Sequence, residues 1–245
     1  MNPKSHTLFH FTKSIDTLKL VLKNGFWPRY CLEDISYLGF GEESFVAYPM
    51  VCFCDIPLSR VDEHVKFYGE YGVGLTKEWA LSNGLTPIQY VSQNSKIPAT
   101  YKNLAGLLDT EDTTQRDAGW KALRYLLAHA KPIEGSMVVA KELVEKEFHQ
   151  ESEWRFIAEH SEVRDFIQKE NYDDELKLSS LNNDTRKNCM LKFSLKDIKY
   201  IFVKYDSDIP NIINFIQSDL DHYPSSDVKI LLSRVTSLES ISHDL

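Results

Sequence analysis

Two carboxylates and a guanidinium occupy alternate positions in residues 151–157 (ESEWRFI), as Glu151, Glu153 and Arg155. A period of two is typical of a β-strand, on which alternate side chains share one face. On that face the two carboxylates would lie roughly 7 Å apart. The charged face is then either a site for chemistry or a set of solvated ion pairs, which contribute little stability. The opposite face, which we expect to pack into the core, would carry Ser152, Trp154 and Phe156.

A histidine and a threonine share one face of an earlier predicted strand. Residues 8–12 (LFHFT) place His10 and Thr12 on one side and two phenylalanines on the other. The alternative for His10 is a structural role at the edge of the core, with its ring hydrogen-bonded to a backbone carbonyl. Tyr68 follows on a predicted helix, where it is either a core residue or an aromatic that stacks on a flat ring at the mouth of a pocket.

In chain order, these residues resemble the site of ADP-ribosyltransferases: a histidine or arginine on the first strand, then an aromatic, then a glutamate on a later strand. The resemblance implies that Glu153 is catalytic. Its carboxylate would stabilise the oxocarbenium-like sugar that forms as ADP-ribose leaves nicotinamide, and would help to deprotonate an acceptor. NAD would be the substrate rather than a resident cofactor.

The same resemblance assigns NAD-binding roles to the remaining candidates. His10 and Thr12 would hold the ribose and the carboxamide, and Tyr68 would stack on the nicotinamide ring. Glu151 would be the upstream partner of a Glu-x-Glu pair, and Arg155 would belong to the same binding set.

Longer segments resemble the AbiGi family of abortive-infection phage-resistance proteins. The most specific is YPMVCFCDIPLS at residues 48–59; residues 8–12, 24–31, 68–75 and 151–156 also match, together with His64, Lys77 and Trp79. The resemblance extends from about residue 8 to the C-terminal strand. It implies a role in phage defence as an antitoxin, paired with a nucleotidyltransferase-like toxin as the partner protein.

Composition narrows the choice of partner and compartment. The 245 residues have a formal net charge of −8 and a pI near 5.5, which disfavours nucleic acid as a partner because phosphate contacts need clustered Lys and Arg. No apolar run approaches the ~20 residues that cross a bilayer, and the N-terminus lacks the apolar segment of a secretory signal. We expect a cytoplasmic protein with no membrane partner.

The cysteines do not predict a metal site. The chain has four, and Cys52 and Cys54 would share one face of a strand. Structural zinc needs a second ligand pair, which the sequence does not supply. We expect no metal, and interpret the two thiols as small core residues.

The remaining pattern favours an α+β class. Strands are predicted at residues 8–12, 50–54, 72–76 and 228–233, and helices at 15–24, 59–71 and 112–130, the last with Trp120, Leu123, Leu126 and Leu127 on one face. Residues 27–48 are predicted to be an ordered loop, and the polar residues 161–188 an excursion from the domain. We predict one domain over residues 1–245, with a mixed, mostly antiparallel split sheet of ADP-ribosyltransferase type and helices outside it.

Two functional hypotheses follow from the sequence. The first is an NAD-dependent ADP-ribosyltransferase that acts during phage infection. The second is a non-catalytic antitoxin that binds and neutralises a cognate toxin, for which an acidic surface suits a basic partner.

Overall fold

The structure is a computed structural model that describes residues 6–40, 45–139 and 142–242, with only the backbone for residues 136–139 and 142–143. Its strands, in chain order, are β1 (Thr7–Thr12), β2 (Arg29–Asp34), β3 (Phe45–Cys54), β4 (Tyr71–Thr76), β5 (Thr86–Pro87), β6 (Gln89–Val91), β7 (Ala130–Pro132), β8 (Glu134–Val139), β9 (Glu142–Glu147), β10 (Glu153–Ile157), β11 (Ile167–Gln168), β12 (Ile198–Val203) and β13 (Val235–Ser237).

The helices are α1 (Ile15–Asn24), α2 (Val61–Tyr68), α3 (Lys77–Ser82), α4 (Ile97–Leu107), α5 (Thr113–Ala128), α6 (Lys169–Asp173), α7 (Glu175–Asn188), α8 (Ile209–Asp219), α9 (Ser225–Leu232) and α10 (Leu238–Ser242). Most strand pairs are antiparallel, so the mixed, mostly antiparallel character predicted from the sequence is confirmed. Within the described residues, no helix is both long and apolar enough to span a bilayer.

Internal contacts divide the chain into two compact units. The first comprises Met1–Phe26, Cys52–Thr86 and Leu191–Leu245; the second comprises Trp27–Val51 and Pro87–Met190. The single domain predicted over residues 1–245 stays a prediction.

The first unit is organised by β1. This strand pairs antiparallel with β4 along its whole length, β4 pairs antiparallel with β12, and β12 pairs parallel with β13. Aromatic side chains fill its core: the Phe9 and Phe202 rings meet edge to face with centroids 5.7 Å apart. Both the strand at β1 and helix α1 match the prediction, and Ser14 caps α1 by accepting from the Thr17 amide.

The second unit is built around β2 and the first part of β3, which pair antiparallel in the register Tyr30 to Pro49. The prediction of a loop over residues 27–48 was therefore wrong at β2 and at the first four residues of β3. The polar segment 161–188, expected to project from the domain, contains α6 and α7. Helix α7 packs on β2 through two buried polar residues, Asn182 and Thr185. The Asn182 side chain accepts from the Tyr30 amide at 2.9 Å.

The C-terminal region corrects another prediction. Residues 228–233, predicted as a strand from their β-branched and apolar content, lie mostly in α9. The strand of this region is β13, which begins after α9 and pairs with β12. Helix α9 buries Leu231, so a single apolar side chain anchors it to the unit.

A glycine ends α2 where no other residue fits. Gly69 has φ 115° and ψ 167°, a combination that essentially only glycine adopts. A Cβ there would also collide with the Thr12 carbonyl group and lie 2.6 Å from the Lys13 amide nitrogen. Both neighbours are backbone, so neither can move aside without disturbing the end of β1.

We therefore expect Gly69→Ala to lower the free energy of unfolding by about 3 kcal/mol or more, because backbone strain and a backbone clash add. Gly84→Ala is the matched control in the same unit, since Gly84 has φ 76° but nothing within 4 Å of its added Cβ. The control should lose only about 1 kcal/mol. Urea unfolding midpoints measure both, and equal losses would contradict the clash.

Candidate functional site

The segment that carries the candidate carboxylates begins with a turn rather than a strand. Residues Phe148–Glu151 form a 3₁₀ turn, and Ser152 is left-handed at φ 45°. The strand starts at Glu153, so the prediction of a continuous strand from residue 151 was wrong at its first two positions. Glu151 therefore belongs to the turn and Glu153 to the strand, and both contact Lys131.

The burial of the two strand faces is the reverse of the prediction. Glu153 and Arg155 are 5% and 0% exposed, whereas the aromatic residues Trp154 and Phe156 are only partly buried. The charged face was expected either to line a site or to hold solvated ion pairs. It is instead the inner face of the second unit.

Arg155 is the centre of this face. Its Nε donates to Glu153 Oε1 at 2.7 Å, one terminal nitrogen donates to Glu33 Oε2 at 3.0 Å, and the other donates to the Ala128 carbonyl at 2.7 Å. A buried guanidinium is tolerated only when its donors are satisfied and its charge is balanced. These three bonds provide both.

Two lysines complete the cluster. Lys131 Nζ lies 3.0 Å from Glu153 Oε2 and 3.5 Å from Glu151 Oε2, and it also stands 4.5 Å from the centroid of the Phe148 ring. Lys146 binds the second oxygen of Glu151. We call this set the buried ion cluster; its three carboxylates and three cations balance, and its members are Glu33, Glu151, Glu153, Lys131, Lys146 and Arg155.

Burial and charge compete in setting the protonation of the cluster. Burial raises the pKa of Glu151 and is the largest single effect, but Lys131 and Lys146 together outweigh it and hold that pKa below the ordinary value. Burial likewise opposes the charge of Lys131, yet Glu153, Glu33 and Glu151 together raise its pKa well above the ordinary value. For Lys146, burial prevails over Glu151 and lowers the pKa. Lys131 and Lys146 therefore favour the ionised form of Glu151.

The backbone of Glu153 is held as firmly as its side chain. Its amide donates to the Tyr90 hydroxyl at 2.8 Å, and its carbonyl accepts from the Ile88 amide at 3.0 Å. The carboxylate accepts from Arg155 through one oxygen and from Lys131 through the other. Both the main chain and the carboxylate of Glu153 are therefore fixed by hydrogen bonds.

The other predicted site residues lie in the first unit. His10 is partly buried, and its Nδ1 donates to the Cys52 carbonyl at 2.9 Å, since a carbonyl can only accept. Its ring packs edge-on against Phe26, with centroids 5.0 Å apart. Burial lowers the pKa of His10 against the opposing effect of that hydrogen bond. The neighbouring Thr12 is 9% exposed.

Tyr68 stacks on His64 with ring centroids 4.5 Å apart, and it also packs against the core around Phe9 and Phe11. The structure thus groups His10, Thr12 and Tyr68 within one unit, and Glu151, Glu153 and Arg155 within the other.

Sequence reasoning missed half of the buried ion cluster: Glu33, Lys131 and Lys146. No local pattern distinguishes these residues from ordinary surface charges, because Glu33 lies in a segment predicted to be a loop and the two lysines follow no motif. Among the residues that the structure describes, no three His, Cys, Asp or Glu side chains are grouped so as to hold a metal ion.

Removal of one charge from the cluster should be costly. We expect Glu153→Gln to lower the free energy of unfolding by about 2–4 kcal/mol, because Arg155 and Lys131 would stay buried without their shared counter-ion. Glu159→Gln is the matched control: Glu159 forms an exposed ion pair with Lys121 at 3.9 Å, and its loss should change stability by less than about 0.5 kcal/mol. Equal losses of unfolding free energy in the two variants, measured by urea unfolding, would contradict the expected cost of removing a charge from the cluster.

The pKa directions also predict how stability depends on pH. The folded pKa of Glu151 is lowered, so its contribution is present above the ordinary value of 4.5 and is lost as pH falls through the folded pKa. The folded pKa of Lys131 is raised, so its contribution is present below 10.5 and is lost only as pH rises through the folded value. Urea midpoints should therefore fall in acid, and Glu151→Gln should flatten that fall while Glu159→Gln leaves it unchanged. If the urea midpoint of Glu151→Gln fell in acid as much as that of the wild type, the lowered pKa of Glu151 would be contradicted.

Comparison with known proteins identifies the family. A family model described as "Putative abortive phage resistance protein AbiGi, antitoxin" matches residues 24–204. The abortive phage resistance protein AbiGi of Lactococcus lactis subsp. cremoris is 32% identical over 248 aligned positions, which cover 89% of this chain and 99% of that protein. No solved structure matches the chain. The resemblance seen in the sequence is confirmed, and the chain belongs to the AbiGi family of abortive phage resistance proteins.

Proposed function

We propose that this protein is a cytoplasmic antitoxin of a phage-defence system, which neutralises a cognate toxin by direct contact and not by transfer of ADP-ribose. The observation that carries the proposal is the state of Glu153, the residue on which a transferase mechanism would depend. Both oxygens of its carboxylate are bound to cations, and the side chain is 5% exposed.

A transferase needs a carboxylate that can meet the developing positive charge of the sugar. To serve that purpose, Glu153 would have to give up Arg155 or Lys131 and leave a buried cation uncompensated. Breaking one partner of a buried pair costs about 3–5 kcal/mol. A residue that stabilises the core by this amount is better suited to a structural role than to catalysis.

The charge of the chain supports a protein partner. A net charge of −8 favours a basic surface on the partner, and opposite potentials speed encounter and select the correct complex. A toxin that acts on nucleic acid or nucleotides would present such a surface. The printed description of the matching family as an antitoxin agrees with this proposal.

The alternative is an NAD-dependent ADP-ribosyltransferase with a split-sheet fold. It assigns catalysis to Glu153 and NAD contacts to His10, Thr12, Tyr68, Glu151 and Arg155. Its support is the order of these residues along the chain and the antiparallel pairing of β1 with β4. Nicotinamide release separates the two proposals.

We expect the purified protein to release no nicotinamide from NAD, with or without cell extract. In cells that express the toxin, co-expression of this protein should restore growth. The physical reason is that Glu153 is committed to the buried ion cluster. Glu153→Gln, assayed below its unfolding midpoint, should still neutralise the toxin because the contact surface is elsewhere.

The result that would overturn the proposal is nicotinamide release by the wild-type protein that disappears in folded Glu153→Gln. Failure of the wild-type protein to restore growth would also overturn it. Glu170→Gln serves as the charge-matched control in both assays, because it removes an exposed carboxylate of α6 that lies outside the cluster.

A further inference from the structure

Helix α5 carries two apolar rows, and only one is covered. Leu123 and Leu127 are 4% and 5% exposed and anchor the helix to the second unit. The second row faces outward, with Leu126 50% and Tyr125 40% exposed. The predicted common face of Leu123, Leu126 and Leu127 is therefore divided between a buried row and an exposed row. A surface helix ordinarily has one apolar stripe, so a second, uncovered row needs an explanation.

The outward row lines a surface hollow. Its volume is about 540 Å³, and its lining is apolar except for a lysine and a glutamate at the edge. We call it the α5 groove, and its lining residues are Ala118, Lys121, Ala122, Tyr125, Leu126 and Glu159. The spacing of the apolar members follows one helix face, which is the surface that a second helix can pack against.

The edge of the groove carries four carboxylates and three cations, the latter being Lys121, Arg124 and Arg164. An adjoining hollow shares Lys121 and Glu159 with it and adds carboxylates at positions 117, 162 and 165. Arg124 pairs with Asp165 at 2.7 Å, and Lys121 lies 3.9 Å from Glu159. Among the described residues, Asp117 and Glu162 form no ion pair and stand at this edge beside Arg164.

We propose that the α5 groove receives an amphipathic helix of the toxin, with apolar side chains against Ala122, Tyr125 and Leu126 and with Lys or Arg toward Asp117 and Glu162. This inference rests on the proposed antitoxin function and names the surface that performs it. Helix-in-groove recognition needs an apolar floor and a rim of defined charge, and both are present. The complementary partner is basic, which the net charge of the chain also favours.

Other occupants fit the groove less well. A second copy of this chain carries the same net charge of −8, which opposes self-association. An anionic membrane surface would be repelled by the same net negative charge. These occupants are separate outcomes of the test.

The test is the affinity of the purified protein for the purified toxin that is used in the growth assay. Leu126→Asp should raise the dissociation constant about 30-fold or more and abolish neutralisation, because it puts a charge into the apolar centre of the contact. Leu176→Asp is the matched control, since Leu176 is 85% exposed on α7 of the same unit and should change the constant less than twofold. Unchanged urea midpoints would establish that both variants are folded.

A second pair of variants tests the charged edge. Glu162→Lys should weaken binding several-fold and reduce its dependence on salt, because it removes an attraction and adds a repulsion. Glu170→Lys, an equal charge change at an exposed position of α6, should have little effect.

The two proposals can fail separately. If the wild-type protein and Leu126→Asp neutralise the toxin equally, the groove is not the contact surface and the antitoxin function stands. If the wild-type protein does not neutralise the toxin, both proposals fall. Self-association that Leu126→Asp abolishes, without any effect on toxin binding, would assign the groove to a second copy and overturn this inference.

Discussion

One constraint organises the second unit: the Arg155 guanidinium has no exposed surface and must be neutralised and hydrogen-bonded inside the protein. Glu153, Glu33 and the Ala128 carbonyl meet this need from β10, β2 and the end of α5. Lys131 then balances the carboxylates. Removal of any charged member would leave an uncompensated ion in the core.

Helix α5 connects the buried ion cluster to the surface of the second unit. The buried ion cluster pairs each of its carboxylates with at least one cation inside the unit. Helix α5 contributes to the cluster and to the surface: Ala128 at its end accepts from Arg155, while Tyr125 and Leu126 face outward. A contact on the outer face of α5 would therefore rest on the rigid core beneath it.

The errors made from the sequence arise where contacts with distant parts of the chain decide the local structure. The strand β2 was assigned to a loop because its pairing partner, β3, lies beyond Ser36–Leu38 and an aromatic, glycine-containing stretch. The helix α9 was assigned to a strand because its β-branched residues favour strands, and propensity is a weak guide where packing on one buried leucine decides. Helix α7 looked like an excursion because Asn182 and Thr185, which bury it, are polar.

The sequence by itself determined the family, the strand β1, the helix α1 with its Ser14 cap, and the presence of two carboxylates and a guanidinium close together. These features depend on neighbouring residues or on long matching segments. Only the tertiary structure decided that this charged face points inward and that Glu33, Lys131 and Lys146 complete it. Whether a charge is buried depends on counter-ions that approach from distant positions in the chain, and no local pattern encodes that approach.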